Sequence, residues 1–194
     1  MLLTLLLAGC AVKPTAQSAA DQTILADLQT YLDGLRQFHT RFTQSGTDGY
    51  ADGQLWLSRP GRLRVEYAPP RARLLLANHG RLLVADQTTG STTTMPVSNT
   101  PLDILLADKL ELGGAITVAA LQQAPGTVQI GLVKTAAPGQ GRLTLQFTTA
   151  PLTLSSVVVQ DASGHSNTLS LYGLVRDDAL DADLFHYRPG TTAR

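Results

Sequence analysis

The residues able to do chemistry in this chain are few, and their spacing argues against most of what they could do. The four histidines, His39, His79, His165 and His186, are too scattered to show a metal-ligand spacing. The lone cysteine, Cys10, sits in an apolar stretch with no base beside it, and no Gly-x-Ser-x-Gly elbow occurs. Ala137-Pro-Gly-Gln-Gly-Arg142 lacks both Walker residues and a following helix, so it reads as a hairpin loop. Asp177-Asp178 reads as a solvated turn, not an acid pair. No catalytic residue, metal or cofactor is expected, and nothing points to an enzyme. One cation stands apart. Arg59 has the same parity as Leu55 and Leu57, so a strand running that far aims its guanidinium at the apolar side, without an obvious carboxylate beside it.

The elements that must position Arg59 are legible around it. Leu55, Leu57, Leu63, Val65 and Tyr67 fall on one face, with Gln54, Trp56, Arg62, Arg64 and Glu66 on the other, and Ser58-Arg59-Pro60-Gly61 makes a tight turn between two antiparallel strands. Upstream, Ile24, Leu28, Tyr31, Leu32, Leu35 and Phe38 recur at helical spacing, with Asp27, Gln29 and Asp33 outside. Downstream, strand-like runs cover 73–77, 81–86 and 92–96. Thr100-Pro101 then opens a short helix to Lys109 with Thr100 as N-cap. A second helical piece is expected at Thr117 to Gln123. Strands follow at 127–134, 142–148, 154–161 and 167–174, with a last short one from Leu184 to Tyr187. Meandering strands with one apolar face curl toward a barrel and need cover on the concave side. The two helices are the available covers, and the interior can be solid core or cavity.

At 194 residues the chain suffices for one domain with a substantial core. Its 15 basic and 15 acidic residues balance, with no basic block, which argues against nucleic acid or an acidic membrane surface as the main partner. Leu7-Ala8-Gly9-Cys10 follows the apolar run Leu2 to Leu7 and resembles the lipobox of a bacterial lipoprotein signal, in which the cysteine is acylated and becomes the mature N-terminus. The other reading is an ordinary secretory signal with a chance cysteine. Ala11 rather than Asp after Cys10 fits outer-membrane sorting in the lipoproteins it resembles, and the segment is too short to span a bilayer. Residues 1–20 are thus expected to be signal and polar tether, and 21–194 the folded domain.

Phe38-His39-x-x-Phe42-Thr43-Gln44, Gly53-x-Leu55-Trp56-Leu57-x-Arg59-Pro60, Thr100-Pro101 and Leu180-Asp181-x-x-Leu184-Phe185-x-Tyr187-x-Pro189 together resemble the outer-membrane lipoprotein carrier family (LolA, with its receptor relative LolB). The resemblance runs from about Asp21 to Pro189. It implies a mainly β fold with α: an unclosed antiparallel half-barrel of about ten to eleven strands covered by a helical lid. It further implies an apolar pocket for the acyl chains of lipoproteins, lined by Leu32, Leu55, Leu57, Leu63, Val65, Tyr67, Leu102 and Leu105. Arg59 would be the latch that holds the lid shut. The implied partners are acylated lipoproteins and an inner-membrane release transporter or outer-membrane receptor, met as a monomer in the periplasm.

Cys10 and the short tail after Pro189 point toward the anchored receptor, whereas FHTRFTQ and Arg59-Pro60 look more like the shuttle. A non-transporting sensor or assembly lipoprotein on the same fold is the remaining alternative. Mass spectrometry of the mature N-terminus is expected to find acylated Cys10, and an unmodified one would assign the chain to the shuttling arrangement.

Overall fold

The computed structural model describes residues 19–188, so Cys10, the signal and the tether lie outside the described residues. Helix α1 spans Ala19–Gly34 and is followed by strands β1 (Gln37–Gly46), β2 (Ala51–Ser58), β3 (Arg62–Tyr67), β4 (Arg73–Asn78), β5 (Arg81–Asp86) and β6 (Thr92–Pro96). A short helix, α2 (Leu102–Leu106), leads to β7 (Ile116–Ala124), β8 (Thr127–Lys134), β9 (Arg142–Thr149), β10 (Leu152–Gln160) and β11 (Ser166–Arg176). All belong to one 11-stranded sheet in the order β6-β5-β4-β3-β2-β1-β11-β10-β9-β8-β7. Two antiparallel meanders therefore meet at the β1–β11 pair, and each of the edge strands β6 and β7 has a single partner among the described residues. The half-barrel expected from the resemblance is the fold that forms.

One face of the sheet carries the core. Phe38 and Phe42 of β1, Leu55 and Leu57 of β2, and Leu143, Leu145 and Phe147 of β9 alternate inward and are buried together with Leu28, Leu32 and Leu35 of α1. Tyr31 of α1 stands edge-on to Phe147 and accepts a hydrogen bond from the Leu154 N–H at 3.0 Å. The crossover from β6 to β7 brings Ile104, Leu105, Leu106 and Leu110 into the same core. Gly53 is required by a close approach. A Cβ there would lie 1.9 Å from the Glu66 carbonyl oxygen and 2.9 Å from the Phe42 ring, so a side chain would push Phe42 off its edge-to-face contact with Tyr67.

Two bulges keep the apolar face in phase. The β9–β10 register shifts between Leu154 and Ser156, so Leu154 and Val157 both point inward despite their odd spacing. The β1–β11 register shifts between His39 and Arg41, where Gly173 in β11 takes φ +65° and lets both Leu171 and Leu174 reach the core.

A smaller cluster lies on the outer face. Leu74, Leu76 and Ala85 are buried there, which explains why β4 reads as apolar throughout and not as an alternation. Phe185, buried among the described residues at the C-terminal end, rests under the Arg62 guanidinium, 5.4 Å from its ring centre. Arg64 donates to the Leu184 carbonyl at 2.8 Å and to Glu66 at 2.6 Å, while Asn78 donates to the Phe185 carbonyl at 2.9 Å.

Several local expectations give way. The strand expected at Leu184 to Tyr187 is instead a 3-10 turn over Ala182–Phe185, because Arg64 and Asn78 take the carbonyls that a ladder would need. Thr117 to Gln123, expected as helix, lies in β7. Pro125-Gly126 folds it back onto β8 as a hairpin, and a register shift between Val118 and Ala120 hides its alternation. Phe38 continues the helical spacing in sequence, yet α1 ends at Gly34 and Phe38 owes its burial to the alternation of β1. Thr100 does not cap α2. Its hydroxyl donates back to the Val97 carbonyl at 2.8 Å, Pro101 occupies the cap position, and the helix stops at Leu106, not Lys109.

Phe185→Ala should cost about 3–5 kcal/mol of stability in urea unfolding, the usual penalty for emptying a buried aromatic site. Because the residue packs on the outer face, the cavity described below should keep its affinity for an apolar dye.

Candidate functional site

The turn after β2 fastens both helices. The Arg59 Nη2 group donates to the carbonyls of Leu32 and Leu35. Carbonyls at the end of a helix lack their usual i+4 donors, the Leu32 carbonyl keeping only the Leu35 N–H at 3.2 Å, and a cation there also meets the negative end of the helix dipole. The Arg59 N–H donates to the Arg36 carbonyl at 2.8 Å, and the Gly61 N–H to the Leu106 carbonyl at the end of α2 at 2.9 Å. Arg59 is 4% exposed, and among the described residues no carboxylate lies within ion-pair distance of it. Burial lowers its pKa from the ordinary value, and neighbouring Arg36 adds to this, while Asp33 and Asp108 oppose it. A guanidinium starts so high that it remains a cation.

Outside this turn the covers are tied to each other and to the sheet. Arg36 meets Asp108 at 2.5 Å on the surface and holds its carboxyl below the usual carboxylate range. The Gln29 side chain accepts from the Leu112 N–H at 3.0 Å. On the far side of α2, Lys134 of β8 meets Asp103 and Gln140, each at 3.1 Å, and donates to the Ser98 carbonyl. Exposed pairs of this kind contribute little by themselves.

Beside the lid lies a cavity of about 250 Å³ with a predominantly apolar lining. Of the expected wall residues, Leu55, Leu63, Val65 and Tyr67 line it from the sheet, and Leu102 and Leu105 from α2. Leu32 and Leu57 do not. Both are fully buried in the packed core, because the end of α1, drawn down by Arg59 two residues beyond Leu57, occupies the ground above them. The sequence reading missed Phe38, Leu75, Val84, Val157, Leu169 and Leu171, which complete the apolar wall. The same period of two marks these strands. The bulges break it in β10 and β11, β4 is apolar on both faces and so hides Leu75, and Phe38 continues the helical spacing of α1. Also missed were the polar residues Gln44, Asp48, Arg73 and Asn167. Tyr67 donates to the Gln44 Oε1 at 2.6 Å, and burial pushes the Tyr67 phenol up to about 12. A space of this kind can take an aliphatic chain out of water. Its polar groups are set to receive an acceptor at one end.

The chain matches the family model described as outer membrane lipoprotein carrier protein LolA over residues 33–188. It is 28% identical over 211 residues to an outer-membrane lipoprotein carrier protein of Alkalilimnicola ehrlichii, covering 97% of this chain and 89% of that one. It is 25% identical over 182 residues to a protein of the same description from Methylococcus capsulatus, covering 89% and 86%. Among solved structures, a DUF1329 family protein from Desulfovibrio piger shares the fold at a TM-score of 0.50, with 10% identity over 84% of this chain and 95% of that one.

The raised phenol has a signed consequence. Its contribution to stability is complete below the ordinary value of 10.0 and is lost as pH rises from there to about 12. An absorbance titration of the folded chain should show one late tyrosine that Tyr67→Phe removes. Titration of all tyrosines near pH 10 would count against a buried phenol at this site.

Proposed function

The chain belongs to the LolA family of outer-membrane lipoprotein carrier proteins, and on that premise we propose that its cavity holds the acyl chains of lipoproteins and carries them through the periplasm toward the outer membrane. The observation that carries this reading is the Arg59 tie. It is a buried cation whose partners among the described residues are carbonyls at the end of α1 and not a carboxylate.

The energetics define the task. Removing a C16 chain from water gains about 12 kcal/mol at ~0.8 kcal/mol per methylene. Cargo bearing such chains does not cross an aqueous gap unaided, yet a carrier must also surrender it. Ligand pockets usually run to about 300–1,000 Å³, so a cavity of about 250 Å³ has to widen to hold several such chains. Loading displaces α1 and α2 from the sheet and breaks the Arg59 bonds. Those bonds, about 1.5–3 kcal/mol each for a charged donor, re-form when cargo leaves. The lid thus prefers the empty state by a modest margin, which promotes delivery.

In this reading Arg59 is the latch, and Leu55, Leu63, Val65, Tyr67, Leu102 and Leu105 form part of the wall. Cargo arrives from an inner-membrane release transporter and leaves to an outer-membrane receptor or bilayer.

Arg59→Leu removes the donors and leaves an aliphatic group in their place. The variant should bind an acylated lipoprotein at least as well as the unmodified chain and transfer it to outer-membrane vesicles at least about 10-fold more slowly, the factor that losing even one of those bonds would give. Unchanged transfer would refute the latch. Failure of the unmodified chain to bind acylated cargo would refute the carrier reading itself.

A further inference from the structure

The cavity has two unlike ends. β1 runs along it from Phe38, beside the latch, to Gln44, six residues or about 20 Å away. At the Gln44 end the strand order gathers Tyr67 from the end of β3, Arg73 from the start of β4, Asn167 from the start of β11, and Asp48 from the β1–β2 loop. Two of these satisfy each other: Asn167 donates to Asp48 at 3.0 Å and accepts from its N–H at 3.1 Å. The others do not. Gln44 is 3% exposed and accepts from Tyr67 through Oε1, while its NH₂ group meets no acceptor among the described residues. The Arg73 guanidinium makes no hydrogen bond or close ion pair among the described residues, and feels Asp86, its cross-strand partner, and the Tyr67 phenol only at longer range.

No buried side-chain polar atom is left without a partner among the described residues, so the Gln44 donor is not sealed in the core but opens onto the cavity, and a chain that stripped water from it would leave it unpaired at a cost. Here it borders a space that an aliphatic chain would fill, and a bare hydrocarbon could not receive its hydrogens. An oxygen that only accepts, attached to the end of a long chain, would receive both it and the Arg73 guanidinium. We propose that Gln44 and Arg73 form a subsite for the ester carbonyls of the diacylglyceryl-cysteine head of the cargo, whose chains run from there toward Phe38 and the lid. This rests on the acyl-carrier reading and adds to it a polar determinant of specificity. The shared chemistry is a long-chain acyl ester, which a membrane phospholipid also carries.

The test is displacement of an apolar fluorescent dye from the cavity by three probes. These are a synthetic cysteinyl peptide bearing a dipalmitoyl-glyceryl group, its dialkyl ether analogue without carbonyls, and dipalmitoyl phosphatidylglycerol. The ester peptide should displace the dye at about 10-fold lower concentration than the ether, the worth of one charge-assisted hydrogen bond. In Gln44→Leu and in Arg73→Leu the gap should narrow to about 2-fold, with the ether's potency unchanged. The ester-to-ether ratio in the unmodified chain does not depend on either variant folding. Equal potency of ester and ether there would overturn the subsite while leaving the acyl cavity standing. Failure of all three probes to displace the dye would overturn the carrier reading instead. Phosphatidylglycerol as potent as the ester peptide would overturn the assignment to lipoprotein cargo.

Discussion

The structure depends on how one buried cation is satisfied. Arg59 is removed from water without a carboxylate at ion-pair distance among the described residues, and its hydrogens go to carbonyls at the end of α1. Neutral dipoles repay less of the desolvation cost than an anion would, and they leave nothing charged behind when the bond breaks. A buried ion pair at the same place would strand two charges on opening, at a cost of several kcal/mol. Carbonyls return to water far more cheaply. In the proposed carrier, the chemical choice of acceptor would set how easily the lid lifts. Gly61, in the same turn, extends the tie to α2, so the two covers do not move independently of the β2–β3 turn.

The sheet supplies the complementary constraint. A closed barrel of this size would fix its own bore, whereas a sheet with separate edges can widen as its contents change. What resists that widening is asymmetric. On the β3–β4 side the outer face is buttressed by Phe185 and by the hydrogen bonds from Arg64 and Asn78 to the C-terminal turn. The β7 side ends in a strand whose outward residues are mostly exposed and whose register is broken by a bulge. The stiff half carries Arg59, Tyr67 and Arg73, so the groups that need accurate placement stand on the braced part of the wall.

How much of this was legible in the sequence follows from how local each determinant is. The β2–β3 hairpin and the inward aim of Arg59 were readable because a period of two and a Pro-Gly turn lie within fourteen residues or so. The strands β8 to β11 were readable for the same reason. The final turn was not, since the donors that divert its carbonyls sit 120 and 107 residues away. β7 failed because an edge strand with one dry face and a bulge loses the alternation that identifies a strand. The apolar half of the cavity wall was partly visible through residue parity. Its polar end was legible only in Tyr67, because Gln44 and Arg73 join it across the β1 to β4 meander and Asn167 arrives only once β11 pairs with β1.

The same open architecture leaves two ladder edges without a further strand among the described residues, and such edges recruit other chains. β6 is five residues long, carries exposed Thr92, Thr93 and Thr94, and ends at Pro96, which has no N–H to offer a neighbour. β7 is longer, but its bulge bends the row of donors and acceptors out of line. Neither margin is a good template for stacking one copy on the next. In a crowded compartment this poor templating opposes fibril growth, so the flexibility of an unsealed wall does not bring polymerisation with it.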